Sequence, residues 1–158
     1  MSQAVVRSMQ DNINFAFSLL SKFIQVCPQD IWETRFGRWP VAQQLYHALT
    51  AIDFFIRPPQ SQAIKNYFPE AGNLGSVAER IPDQAQAGEF LALVKAEAER
   101  YIDSLSDDDL PKEAQGASSR MGRQVTYANV LVLLSAHSLY HLGACDAALR
   151  QHGLDGVF

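Results

Sequence analysis

The chain has 158 residues, 47% of them hydrophobic and 19% charged, with a formal net charge of −4. That length can bury a sizeable core without disulfide staples, and the composition excludes an intrinsically disordered chain. An acidic balance with no cluster of Lys and Arg excludes a protein that grips nucleic acid through its phosphates.

The opening stretch, MSQAVVRSMQDNINFAFSLL, lacks the basic segment, apolar run and small-residue cleavage site of a secretory signal. No stretch is expected to approach the roughly 18 apolar residues of a bilayer span. Cys27 and Cys145 lie far apart and form no CxxC. Two free thiols fit a reducing compartment, so the expectation is a cytoplasmic protein that binds neither membrane nor nucleic acid.

Four stretches carry helical periodicity, and none carries the alternation of a strand. The first runs from Val5 to Val26, with Val6, Met9, Ile13, Ala16, Leu20 and Phe23 on one stripe. Cys27-Pro28 ends it, because the residue before a proline is pushed out of the α region. The second opens after Trp39, with Pro40 placed in its first turn and Val41, Leu45, Ala48, Ile52 and Phe55 in step. Pro58-Pro59 stops it.

The third predicted helix runs from Asp83 to Leu105, with Ala87, Leu91, Val94, Ala98, Tyr101 and Leu105 aligned. The fourth runs from Gln124 to Gln151, carries Val130, Leu134, His137, His141, Ala144 and Ala148 in step, and meets Gly153 as a C-terminal cap. Four such helices and no strands predict an all-α, four-helix bundle in one domain spanning residues 1–158. Residues 57–82 are too many for a tight turn between antiparallel neighbours. They either cross one end of the bundle, leaving the second and third helices parallel, or carry a short helix around Ala63–Tyr67. The stretch 106–123 is also long, and either connection could act as a lid.

Three of the four histidines fall inside predicted helices. His137 and His141 are four residues apart, so both rings leave one face about a turn apart and can reach one ion. Both lie on the apolar stripe, where an unpartnered imidazole is costly. Coordination would use a lone pair of each neutral ring, whereas an ordinary core hydrogen bond is the bland alternative. His47 is harder to place. A helical-wheel count sets it about 140° from the centre of its own stripe, beside Ala51 and Phe54. That edge suits a site open on one side and suits a solvated surface histidine equally. His152, at the end of the fourth helix, is expected to be solvated and outside the site.

Trp39-Pro-Val-Ala-Gln-Gln-Leu-Tyr-His47-Ala-Leu, His137-Ser-Leu-Tyr-His141-Leu-Gly143 and Leu149-Arg150-Gln-His-Gly153 together resemble the signature elements of the DinB/YfiT-like superfamily of metal-dependent enzymes. The acidic run Ser104-Leu-Ser-Asp-Asp-Asp-Leu110 is similar to the segment that follows its third helix. The resemblance implies an up-down-down-up four-helix bundle, often homodimeric, with a metal site whose ligands fall on His47, His137 and His141. It also implies a small-molecule substrate and, in some relatives, a low-molecular-weight thiol cosubstrate.

Three imidazoles leave coordination positions open, as catalytic sites do. The donor set suits several divalent ions, with nickel or zinc the expected choice. A zincin protease is excluded, because HExxH would need a glutamate where Ser138 stands. The expected reaction is hydrolysis or thiol-dependent S-transfer, with a non-catalytic metal- or ligand-binding bundle as the alternative. Asp53 and Asp146 read as solvated or supporting carboxylates rather than bases, and Cys145 as packing rather than a further ligand. Tyr46 and Tyr140, which flank the histidines, read as packed aromatics with a pocket lining as the alternative. Arg35 and Arg38 read as solvated cations before the second helix, with contact to an anionic substrate as the alternative.

Overall fold

A computed structural model describes residues 2–158. It is mostly helical: α1 (Ala4–Val26), α2 (Gln29–Glu33), α3 (Val41–Ile56), α4 (Gln84–Asp103), α5 (Gln115–Met121) and α6 (Tyr127–Gln151). Two two-residue strands, β1 (Arg35–Phe36) and β2 (Trp39–Pro40), pair antiparallel between α2 and α3. This ribbon corrects the expectation of no strands; strands so short have no alternation to display. Gly37 turns the hairpin at φ +69°. Pro40 precedes the α3 helix as its N-cap rather than lying in its first turn.

The four long helices match the four predicted stretches, and local chemistry explains their ends. Asp83 caps α4 by accepting the Gln86 N–H, while Gln86 returns the bond to the Asp83 N–H. Thr126 and Asn129 repeat that reciprocal pair at the start of α6. The start lies later than Gln124 because Val125 is held in extended pairing: its carbonyl accepts the Ala114 N–H and its N–H binds Ser118 Oγ. At the far end Gly153 takes φ +77°, the Leu154 N–H bonds to the Leu149 carbonyl and the Gly153 N–H to that of Arg150. That is a Schellman cap, as glycine there predicts.

Within 57–82 no helix forms at Ala63–Tyr67; the segment is irregular. The stretch 106–123 holds two short helical pieces that its sequence did not announce, a 3-10 turn at Asp107–Asp109 and α5. Seven residues are too few to build a periodic signal.

The apolar stripes meet in one core containing Phe23, Trp32, Leu45, Leu49, Ile52, Val94, Leu134 and Leu142. The long helices contact one another in the pairs α1–α4, α4–α3, α3–α6 and α6–α1. α3 also touches α2 and α5, and most of its residues are buried, including Gln43, Gln44 and Asp53. By length and apolar character α6 would qualify to cross a bilayer, contrary to the sequence expectation. In this fold it packs between α1 and α3 instead.

Candidate metal centre

α3 and α6 lie side by side, and their contact carries the site. His47 projects from α3; His137 and His141 project from successive turns of α6. The His137 and His141 ring centroids are 4.6 Å apart, and His47 lies 5.2 Å from the first and 4.7 Å from the second. One nitrogen from each ring falls within 4.8 Å of the others. An ion about 2.0–2.1 Å from every nitrogen needs spacings below about 4 Å, within reach of small ring rotations.

The wheel count sets His47 at the edge of its stripe, and the structure finds it there: within α3 His47, Thr50 and Phe54 are the residues less than fully buried, and they share one face. His47 reaches His137 and His141 of α6 from that face, so its edge position belongs to a partly open site.

His141 is 7% exposed, while His47 and His137 are half-buried. Phe55 stands edge-on to the His137 ring at 5.6 Å. Tyr140 flanks His141 at 5.0 Å and is 75% exposed, so it is no packed aromatic and the site approaches solvent on its side. Burial, reinforced by neighbouring imidazoles, pulls both His137 and His141 down to about 4. They are neutral at physiological pH and keep their lone pairs.

Hydrogen bonding separates the rings. His47 Nδ1 is 2.8 Å from the Gly72 carbonyl. A carbonyl only accepts, so Nδ1 carries the proton and Nε2 keeps the lone pair. The Nδ1 atoms of His137 and His141 are buried without any partner. Buried polar atoms are seldom left so, and an ion would supply a missing partner. Orphaned nitrogens, neutral rings and convergent donors all fit a divalent ion.

The remaining candidates lie elsewhere. Cys145 is buried with its thiol 3.7 Å from the Val41 carbonyl, and burial pushes its pKa up, as befits packing. Asp146 accepts bonds from Arg150 and the Val157 N–H. Asp53 is buried rather than solvated, sits 3.5 Å from Arg57 and accepts the Ile64 N–H; burial outweighs these partners and raises its pKa. Among the described residues the metal-competent group therefore holds histidines only. Tyr46 is packed between Phe68 and Phe90 and donates to Asn66. Arg38 is exposed, bonds the Gly75 carbonyl and lies over Trp39, Arg35 is exposed, and so is His152.

Gly72 is the site residue that sequence reasoning missed. It sits in the connection read only as a crossover or lid, and no motif marks it.

No curated protein and no solved structure matches the chain. Residues 13–145, a stretch that includes all three histidines, do match the sequence signature of the DinB superfamily, in agreement with the motifs around Trp39, His137 and His141. The chain belongs to the DinB superfamily.

Proposed function

We propose that this protein is a metal-dependent enzyme acting on a small molecule, with His47, His137 and His141 as the ligands of one zinc or nickel ion. The convergence of three imidazoles from two helices carries the reading. A divalent ion held there supplies Lewis acidity, lowering the pKa of a water or thiol that joins it and polarising an electrophile.

Between hydrolysis and thiol-dependent S-transfer, we favour transfer. Hydrolytic sites commonly pair the ion with a carboxylate base, and Asp53 and Asp146 are both committed to other partners. A thiol acidified directly needs no such base. The chain's own contribution is to hold His137 and His141 neutral and to flank His137 with Phe55 while the Tyr140 side stays open. Phe55 also lines a cleft of about 600 Å³ with Tyr101, Lys112 and Tyr127, large enough for a small substrate although no histidine lines it.

The accompanying architecture is a single-domain four-helix bundle of up-down-down-up sense. Contacts between helix ends support it. Asp107, just past α4, binds the first N–H groups of α1, while Gln84 at the start of α4 binds carbonyls at the end of α1. Tyr46 stacks on Phe90, so α3 and α4 start together. His47 meets His141 while Phe55 meets His137, so α3 and α6 run oppositely. A homodimer would cover the apolar strip where Phe15 and Val132 are exposed, and sedimentation tests it. Buried free thiols at Cys27 and Cys145 support a cytoplasmic setting.

Metal analysis of tag-free protein, followed by thermal-shift screening against low-molecular-weight thiols and assay of transfer to electrophiles, tests the function. One ion per chain, lost in His137→Ala/His141→Ala, is expected. No ion after reconstitution with zinc or nickel would overturn the metal reading. Metal-loaded protein with no thiol-dependent turnover would favour a binding module.

A further inference from the structure

We propose that Gly72 is a positioning residue for the metal: its carbonyl locks His47 in the Nδ1–H tautomer, so that His47 ligates through Nε2. The proposal rests on the three-histidine metal reading above and adds what selects the ligating atom.

The bond itself is short, 2.8 Å, and its polarity leaves one arrangement of the proton. A free imidazole side chain prefers its proton on Nε2, which would offer the ion the wrong nitrogen. The carbonyl reverses that preference before any metal arrives. Outer partners of this kind fix ring orientation and raise ligand basicity.

Such a device works only if the carbonyl is held in place, and the backbone around Gly72 is clamped onto α3. The Gln43 side-chain amide donates to the Asn73 and Ser76 carbonyls at 2.9 and 2.7 Å, and its oxygen accepts the Ala78 N–H at 3.1 Å. Arg38 donates to the Gly75 carbonyl, and the Asn73 side chain accepts the Gly75 N–H. The clamp explains why α3 buries Gln43, which a purely packed helix would avoid.

Glycine is required here by proximity. A Cβ at position 72 would lie 2.8 Å from Thr50 Oγ1 and 2.9 Å from its Cγ2. Thr50 follows His47 by three residues, one turn along α3, and its hydroxyl donates to the Tyr46 carbonyl, which limits its freedom to swing away. Any side chain at 72 would push the strap outward at the point where it touches His47. His137 and His141 have no equivalent partner at Nδ1.

Two measurements test the proposal. In metal-free protein labelled with 15N-histidine, long-range 1H–15N NMR reads which nitrogen of each ring is protonated. His47 is expected to report a protonated Nδ1 at neutral pH; a protonated Nε2 would overturn the proposal, and this arm needs no variant. In competition titrations with zinc, Gly72→Ala is expected to weaken binding by about 10–100-fold, with Gly72→Ala/Thr50→Ala recovering part of the loss. Zinc affinity unchanged in a folded Gly72→Ala would also overturn it. Wild-type protein that takes up no zinc would defeat the metal reading and the positioning role with it, whereas a protonated Nε2 on His47 in protein that does take up zinc would defeat this proposal alone.

Discussion

Replacing His141 with leucine should stabilise the metal-free protein while abolishing its stabilisation by zinc. His141 is 7% exposed and its Nδ1 is buried without a partner. An unsatisfied buried polar group costs about 1–3 kcal/mol. Leucine removes that cost and is apolar, and the change of shape returns up to about 1.5 kcal/mol. The net gain is about 1 kcal/mol, or about 2–4 °C in Tm for a chain of this size. Zinc at 100 times its Kd should stabilise the wild type by about 2.7 kcal/mol, which is about 5–11 °C. The variant should gain none of it, so the order of stabilities reverses between chelated and zinc-loaded samples. Thermal melts of both proteins, with chelator and with excess zinc, measure this directly. A His141→Leu protein that melts several degrees below the wild type under chelator would refute the reasoning, because the ring would then be making a favourable contact. Equal zinc shifts in both proteins would refute it as well.

Acid should widen the gap between the two metal-free proteins. His137 and His141 sit at about 4 in the fold against about 6.5 unfolded, so between those values the unfolded chain binds more protons and stability falls as the pH falls; melts across pH 4–7 should show the wild type losing more than His141→Leu, and parallel profiles would count against neutral burial. Arg120 donates to the carbonyls of Phe54 and Arg57 at the end of α3, where helix carbonyls lack partners, so Arg120→Ala should lower stability by about 2 kcal/mol in urea titrations while leaving zinc stoichiometry at one per chain. Asp107 binds the Val5 and Val6 N–H groups and the Ser2 hydroxyl, and these bonds hold its carboxyl below the usual range. Its contribution is therefore present at neutral pH and lost as pH falls through the carboxylate range, so Asp107→Ala should lower Tm at pH 7 and have less effect near pH 3.

The long helices were legible because each announces itself twice, by period and by punctuation. Pro28 and Pro58 stop α1 and α3, and Gly153 closes α6. The pair His137 and His141 was legible for the same reason, since both residues lie on one helix and their relation is local. His47 needed the resemblance around Trp39, because an edge position suits a half-open site and a solvated ring equally, and periodicity does not say which helix that edge meets. α5 and the Arg35–Trp39 ribbon were missed because they are too short to be periodic. Gly72 was illegible in another sense: a glycine in a long connection looks the same whether it marks a bend or a contact between backbone and ring.

The polar residues of α3 tie these observations together. Gln43, Tyr46, His47 and Asp53 spoil what would otherwise be a continuous apolar surface, and each meets the 57–82 connection: Gln43 at Asn73, Ser76 and Ala78, Tyr46 at Asn66, His47 at Gly72, Asp53 at Ile64. An irregular segment has no ladder of its own to satisfy its backbone, so these side chains supply the partners. The connection in turn covers a helix that would have exposed them. Three of those contacts are explained by satisfaction alone, since any donor and acceptor would serve. The fourth is different, because it uses one nitrogen of a ring that lies 5.2 and 4.7 Å from those of His137 and His141 and leaves the other for a ligand. Those two rings carry buried Nδ1 atoms with no partner, so an ion held among the three would meet nitrogens that the fold itself leaves unpaired.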